Sequence, residues 1–254
     1  MPNYTIAEEP LNLERLKKLY EVNRGRYHDF SYANLNCIFD IACHNPSMFP
    51  TINVQEVSDC VPYIYMEKWV DRYFDALMNI PCEQKVNPSE LEVVATTFSE
   101  PETTIKESAY DPLSPKNIHK TLLQLFISRK VRRYGFIWCI GNVLEGIDFC
   151  NTDGSFFLKI QDKSEIEKNS NIKFSHSANI KKGPCIRTWS RLESECSDYN
   201  WPLLNNLVNK HRTDEFNLDG LDISEKDYQQ FLTNITYHNY ELYKLRKLLD
   251  NSAK

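Results

Sequence analysis

Four side chains have the chemistry of an acid–base site. Asp148 and Asp153 flank a turn, His176 follows them, and His119 stands near the start of a long helical stretch. A hydrolytic centre needs an acid or base held against a nucleophile or a metal. No spacing here sets such partners together, and the chain has no G-x-S-x-G, H-E-x-x-H, phosphate-loop or dinucleotide pattern. Asp153 lies in Asn151-Thr152-Asp153-Gly154, where an aspartate ordinarily forms a turn. The eight cysteines (Cys37, Cys43, Cys60, Cys82, Cys139, Cys150, Cys185 and Cys196) include no C-x-x-C pair. Cys37, Cys43, His44 and Cys60 fit no zinc spacing, so the thiols read as small buried hydrophobes without a structural disulfide. These residues predict no catalytic group, no metal site, no cofactor and no enzyme.

A second constellation suits nucleic acid. Arg129, Lys130, Arg132, Arg133, Lys181 and Lys182 lie near Tyr134, Phe136, Trp138 and Trp189, the mixture used to stack bases and hold phosphates. It supports an alternative reading of residues 132–195 as an OB-like single-stranded nucleic-acid module of a telomere or replication subunit. Cations at a helix end also complement the helix dipole, and the charged stretch 162–171 leaves little strand for a barrel. Thirty basic residues against thirty-five acidic ones, a net charge of −5, do not describe a general nucleic-acid or membrane binder. No apolar run reaches the roughly 18–20 residues that span a bilayer. The start, Met1-Pro2-Asn3-Tyr4, has no leader-like pattern, which points to a reducing intracellular setting.

The elements that would position these groups follow from periodicity. Leu13, Leu16, Leu19 and Tyr20 predict a helix over 11–23, and the run Leu35–Ala42 a second, stopped by Asn45-Pro46. Ile64, Val70, Tyr73, Phe74, Leu77 and Met78 line one side of a helix ended by Ile80-Pro81. Residues 90–98 and 103–110 predict a hairpin. Ser114-Pro115 marks the start of a helix running to about Arg133. Strands are predicted at 134–140, 155–160, 172–174 and 185–192, and helices from Trp201 and from the capping box Ser224-Glu225-Lys226-Asp227.

This order resembles the HORMA-domain family, most closely its meiotic chromosome-axis members, with the comet-type checkpoint adaptor as the alternative branch. Four stretches carry the resemblance: Asn36–Phe39 through Phe49-Pro50, Trp69–Leu77, Ser155–Lys163 and Ile186-Arg187-Thr188. It implies an α+β fold in which a central mixed or antiparallel sheet packs on three helices, with a mobile C-terminal safety belt. The implied domains are an N-terminal helical segment 1–29, a peptide-binding domain 30–200 and a helical tail 201–254. The implied function is a non-catalytic adaptor on nuclear chromosomes, in meiotic axis assembly or spindle-checkpoint control. It would capture an extended closure-motif peptide, from a partner or from another copy, by β-augmentation. Ile105, Tyr110, Ile186 and Trp189 would hold the peptide, and Asp162, Lys163 and Ser164 would be the belt's hinge. An AAA-type remodelling ATPase would be a further partner, with no direct nucleic-acid contact and no membrane.

Overall fold

A computed structural model describes residues 3–4, 13–54, 60–80, 115–163, 185–192, 199–213 and 219–235. The predicted hairpin at 90–110 and the strand at 172–174 lie outside them. Three N-terminal helices come first: α1 (Leu13–Arg24), α2 (Ala33–His44) and α3 (Val61–Met78). A two-stranded ribbon pairs β1 (Asn3–Tyr4) antiparallel with β2 (Ile52–Asn53). The long helix α4 (Pro115–Val131) then leads through a tight turn, Arg132–Tyr134, into the main sheet.

That sheet holds β3 (Phe136–Trp138), β4 (Phe149–Asn151), β5 (Phe156–Lys163) and β6 (Cys185–Leu192) in sequential order. The first two pairings are antiparallel and β5–β6 is parallel, with Ile160 opposite Trp189. A parallel neighbour needs a crossover of a dozen residues or more, which the intervening 164–184 can span. Helix α5 (Trp201–His211) and a last helix, α6 (225–235), complete the described chain. Among the described residues no helix is long and apolar enough to cross a membrane.

Two aromatic clusters fix these elements. In the first, Trp69 of α3 packs edge-on to Tyr20 of α1, Phe39 of α2 and Phe49, while Tyr20 stacks on Phe39 at 4.0 Å. Burying such rings contributes more per residue than any aliphatic contact. In the second, Trp201 of α5 lies 5.1 Å from Trp189 of β6 and meets Phe126 of α4 and Tyr228 of α6. The helical stripe predicted on α3 buries Val70, Tyr73 and Phe74, but Met78 at its end is exposed. Tyr65, Met66 and Trp69 are buried too, so α3 is covered on more than one side.

Candidate active site

The connection from β3 to β4, residues 139–148, is a loop that cannot drift. Val143, Leu144 and Ile147 are fully buried along it. Its corners are residues with positive φ: Gly141 at 79°, Asn142 at 54° and Gly146 at 64°. Gly141 is required twice over, because a Cβ there would run into the Arg72 carbonyl of α3. The Trp69 indole donates to the Val143 carbonyl at 2.8 Å, and the Glu145 amide to the Met48 carbonyl at 2.8 Å. The loop is thereby fastened to the N-terminal helices, and it delivers Asp148 to the entry of β4.

Asp148 is held from every side. Its amide donates to the Leu158 carbonyl of β5 at 3.0 Å, and its carbonyl accepts from the Cys139 amide at 2.8 Å. Its carboxylate accepts the Ile160 amide on Oδ2 at 2.6 Å and the Gln124 side-chain amide on Oδ1 at 2.6 Å. Lys120 Nζ, one turn before Gln124 on α4, stands 3.7 Å from Oδ1. The carboxylate is 14 % exposed and the lysine 55 % exposed, so the pair joins a sequestered anion to a cation that faces solvent. Burial raises the Asp148 carboxyl above its ordinary value, against the lowering pull of Lys120, the Ile160 amide, Lys159 and Gln124. A carboxylate so buried, still accessible on one side and flanked by two lysines, has the marks of a functional group.

The other groups singled out in the sequence are dispersed. Asp153 is exposed and accepts the Ser155 amide at 2.8 Å, a turn contact. His119 falls on α4, His176 lies outside the described residues, and among those residues no three His, Cys, Asp or Glu side chains converge on a metal position. Of the thiols, Cys139 and Cys150 meet at 3.5 Å inside the core as free cysteines. Of the residues assigned to a peptide, Ile105 and Tyr110 lie outside the described chain. Ile186 is half-buried opposite Phe157. Trp189 is fully buried, with its indole donating to the Asn200 carbonyl at 2.8 Å. Asp162 and Lys163 are the last two positions of β5, and Ser164 is outside the described residues. Tyr134, one of the aromatics offered for base stacking, is also fully buried.

Residues 52–230, well over half of the chain, match the model of the SinI restriction endonuclease family. Among curated proteins the chain is 25% identical over 134 residues to the type II restriction enzyme Eco47I of Escherichia coli, covering 51% of each chain. It is 26% identical over 132 residues to the type II restriction enzyme SinI of Salmonella infantis, covering 50% of each. The chain thus spans about half the length of the curated relatives it matches. These findings overturn the HORMA resemblance and the chromosome-axis, checkpoint and safety-belt functions drawn from it. The peptide partner, the remodelling ATPase and the expected absence of nucleic-acid contact fall with it, and the OB-like alternative gains no support. The expectation of a non-catalytic protein fails as well, since both relatives are restriction enzymes. Four short stretches and their order had carried the resemblance, whereas the family match runs through residues 52–230: the chain belongs to the SinI restriction endonuclease family.

Proposed function

We propose that this protein is an endonuclease that hydrolyses phosphodiester bonds of double-stranded DNA, with Asp148 as the central catalytic carboxylate. The observation that carries the reading is the setting of Asp148: a buried anion fixed by Gln124 and Ile160 beside the solvent-facing Lys120, inside the region that matches the family.

A phosphodiester is anionic, and the water that attacks it must lose a proton as charge builds on the phosphoryl oxygens. Lys120, and Lys159 on β5, supply positive charge next to that position. They attract the backbone phosphate and stabilise the charge that develops on it. Gln124 and the Ile160 amide hold the carboxylate without neutralising it, so its orientation needs no adjustment during the reaction. Each Asp148 oxygen accepts one hydrogen bond and keeps a lone pair, a hard-oxygen donor that fits Mg²⁺ completed by substrate phosphates and water. Such an ion, when bound, lowers the pKa of a coordinated water and polarises the phosphoryl oxygen. Asp148 is the residue that would hold it.

The test uses large phage genomic DNA, in which any short recognition sequence recurs, incubated with the protein and Mg²⁺. Discrete fragments are expected from the wild type and none from Asp148→Asn. An intact substrate with the wild type would remove the activity. An Asp148→Asn protein that cleaves like the wild type would move the site elsewhere.

A further inference from the structure

Beyond Lys159 the sheet carries a row of polar side chains that the site around Asp148 does not use. The Asp148 amide donates to the Leu158 carbonyl and its carboxylate accepts the Ile160 amide, so Lys159 stands between these two contacts on β5. On the next strand, β6, Thr188 is in register with Lys159 and Ser190 with Gln161. Side chains in register on neighbouring strands project to one face, and here the Ser190 hydroxyl donates to Gln161 Oε1 at 3.3 Å. The pair between them, Ile160 and Trp189, is buried on the other face, where Trp201 and Tyr228 of α6 pack. Lys159, Gln161 and Ser190 are half-buried, and Thr188 is exposed. The Ser190 hydroxyl is thus committed within the row, whereas the Thr188 hydroxyl makes no hydrogen bond among the described residues.

We propose that Thr188 is a DNA-backbone contact: its hydroxyl donates to a phosphate flanking the scissile one, on a backbone that crosses the sheet from Asp148 over Lys159 to β6. The proposal rests on the endonuclease reading above. Neighbouring strands lie about 4.8 Å apart, so Thr188, two spacings away, is about 10 Å from Asp148. Each strand of a duplex carries a charge for about every 3.4 Å of helix axis. A backbone held at Asp148 and running along this line therefore has further phosphates within reach of β6. Threonine and serine hydroxyls are regular donors to phosphate oxygens, and such contacts fix register and orientation without reading sequence. Threonine also suits a strand by its branching alone, so the test must separate the hydroxyl from the shape.

The experiment measures binding of the full chain to a mixed-sequence duplex of about 30 base pairs across a salt series, without Mg²⁺ so that the duplex stays intact. Thr188→Val keeps the branching and removes the donor. It is expected to weaken binding roughly threefold to tenfold with an unchanged salt slope, because a neutral donor displaces no counterion. Thr188→Lys places a cation where the phosphate runs. It is expected to tighten binding at low salt and to steepen the slope of log K against log salt by about 0.9. Thr233→Lys is the control: this residue is exposed on α6, which packs on the opposite face of the sheet, and its slope stays that of the wild type. Wild-type affinity in Thr188→Val, a wild-type slope in Thr188→Lys, or equal steepening by Thr233→Lys overturns the contact and leaves the endonuclease reading standing. Absence of salt-dependent duplex binding by the wild type overturns both.

Discussion

Asp148 shows how a residue can look ordinary in sequence and stand out in space. Its neighbours Gln124 and Lys120 are twenty-odd positions away on a helix, and Ile160 takes part only through its amide. No short motif encodes that set, so the sequence offers Asp148 and Asp153 as equals, and only the fold separates the buried carboxylate from the turn former. The folded protein holds the Asp148 proton more tightly than the unfolded chain does. Ionising it therefore costs stability as pH rises from below its ordinary 3.8 through the raised folded value, and the cost is complete once the pH has passed that value. Asp148→Asn removes that cost and can keep both hydrogen bonds if the Gln124 amide turns over. Its melting temperature at pH 7 should equal or exceed that of the wild type, while cleavage falls roughly 10²–10⁴-fold. A variant that melts well below the wild type would mark Asp148 as structural. Lys120→Met tests the charge next to it. Removing the ammonium lets the carboxyl rise further, so the acid limb of the pH–rate profile should move to higher pH, whereas Lys120→Arg should leave it in place. An unmoved limb in the methionine variant would separate Lys120 from the reactive group.

At the scale of elements, periodicity finds what is long and misses what is short. The apolar run 185–192 is β6 to the residue, and the helix predicted over 11–23 is α1 shifted by one or two positions. The capping box at Ser224 is real: its amide donates to Asp227 Oδ2 at 2.8 Å. Strand β4 has three residues, Phe-Cys-Asn, between a pinned loop and a turn, which is too little chain to display an alternation. Yet β4 and the loop before it position Asp148, the proposed catalytic carboxylate. Their order depends on Gly141, so this glycine can be tested against another. Gly141→Ala forces a side chain into a left-handed backbone position and against the Arg72 carbonyl, at a cost of about 2–4 kcal/mol. Gly25, with nothing within 4 Å of a Cβ and no positive φ, should accept alanine nearly neutrally. Urea titrations of the two variants decide it. Equal midpoints would show that the 139–148 loop is not held by α3.

The whole molecule explains why the element order misled. A succession of helices, strands and a terminal helix is shared by unrelated folds, and function belongs to sites that such an order does not specify. The predicted hairpin at 90–110, which held Ile105 and Tyr110 of the expected peptide site, lies outside the described residues. What ties the described chain into one body is visible only in three dimensions. Arg191 of β6 is 5 % exposed, and its guanidinium meets Glu225 Oε1 of α6 at 2.8 Å, with Tyr199 and Tyr228 rings 5.1 and 5.6 Å away. The other carboxylate oxygen of Glu225 accepts the Trp201 indole at 2.8 Å. One glutamate thus joins the edge strand, α5 and α6. Deleting it takes the Glu225 carboxylate from a desolvated guanidinium, so Glu225→Ala should cost about 3–5 kcal/mol. Replacing both members by apolar residues of similar size, Arg191→Met with Glu225→Leu, removes the buried charges together and should restore most of that loss. The contrast between the two variants is the informative quantity in a denaturant titration. If the single variant loses less than about 1 kcal/mol, the level of an exposed pair, α6 is not anchored by this carboxylate and its aromatic face on Phe126 holds it alone.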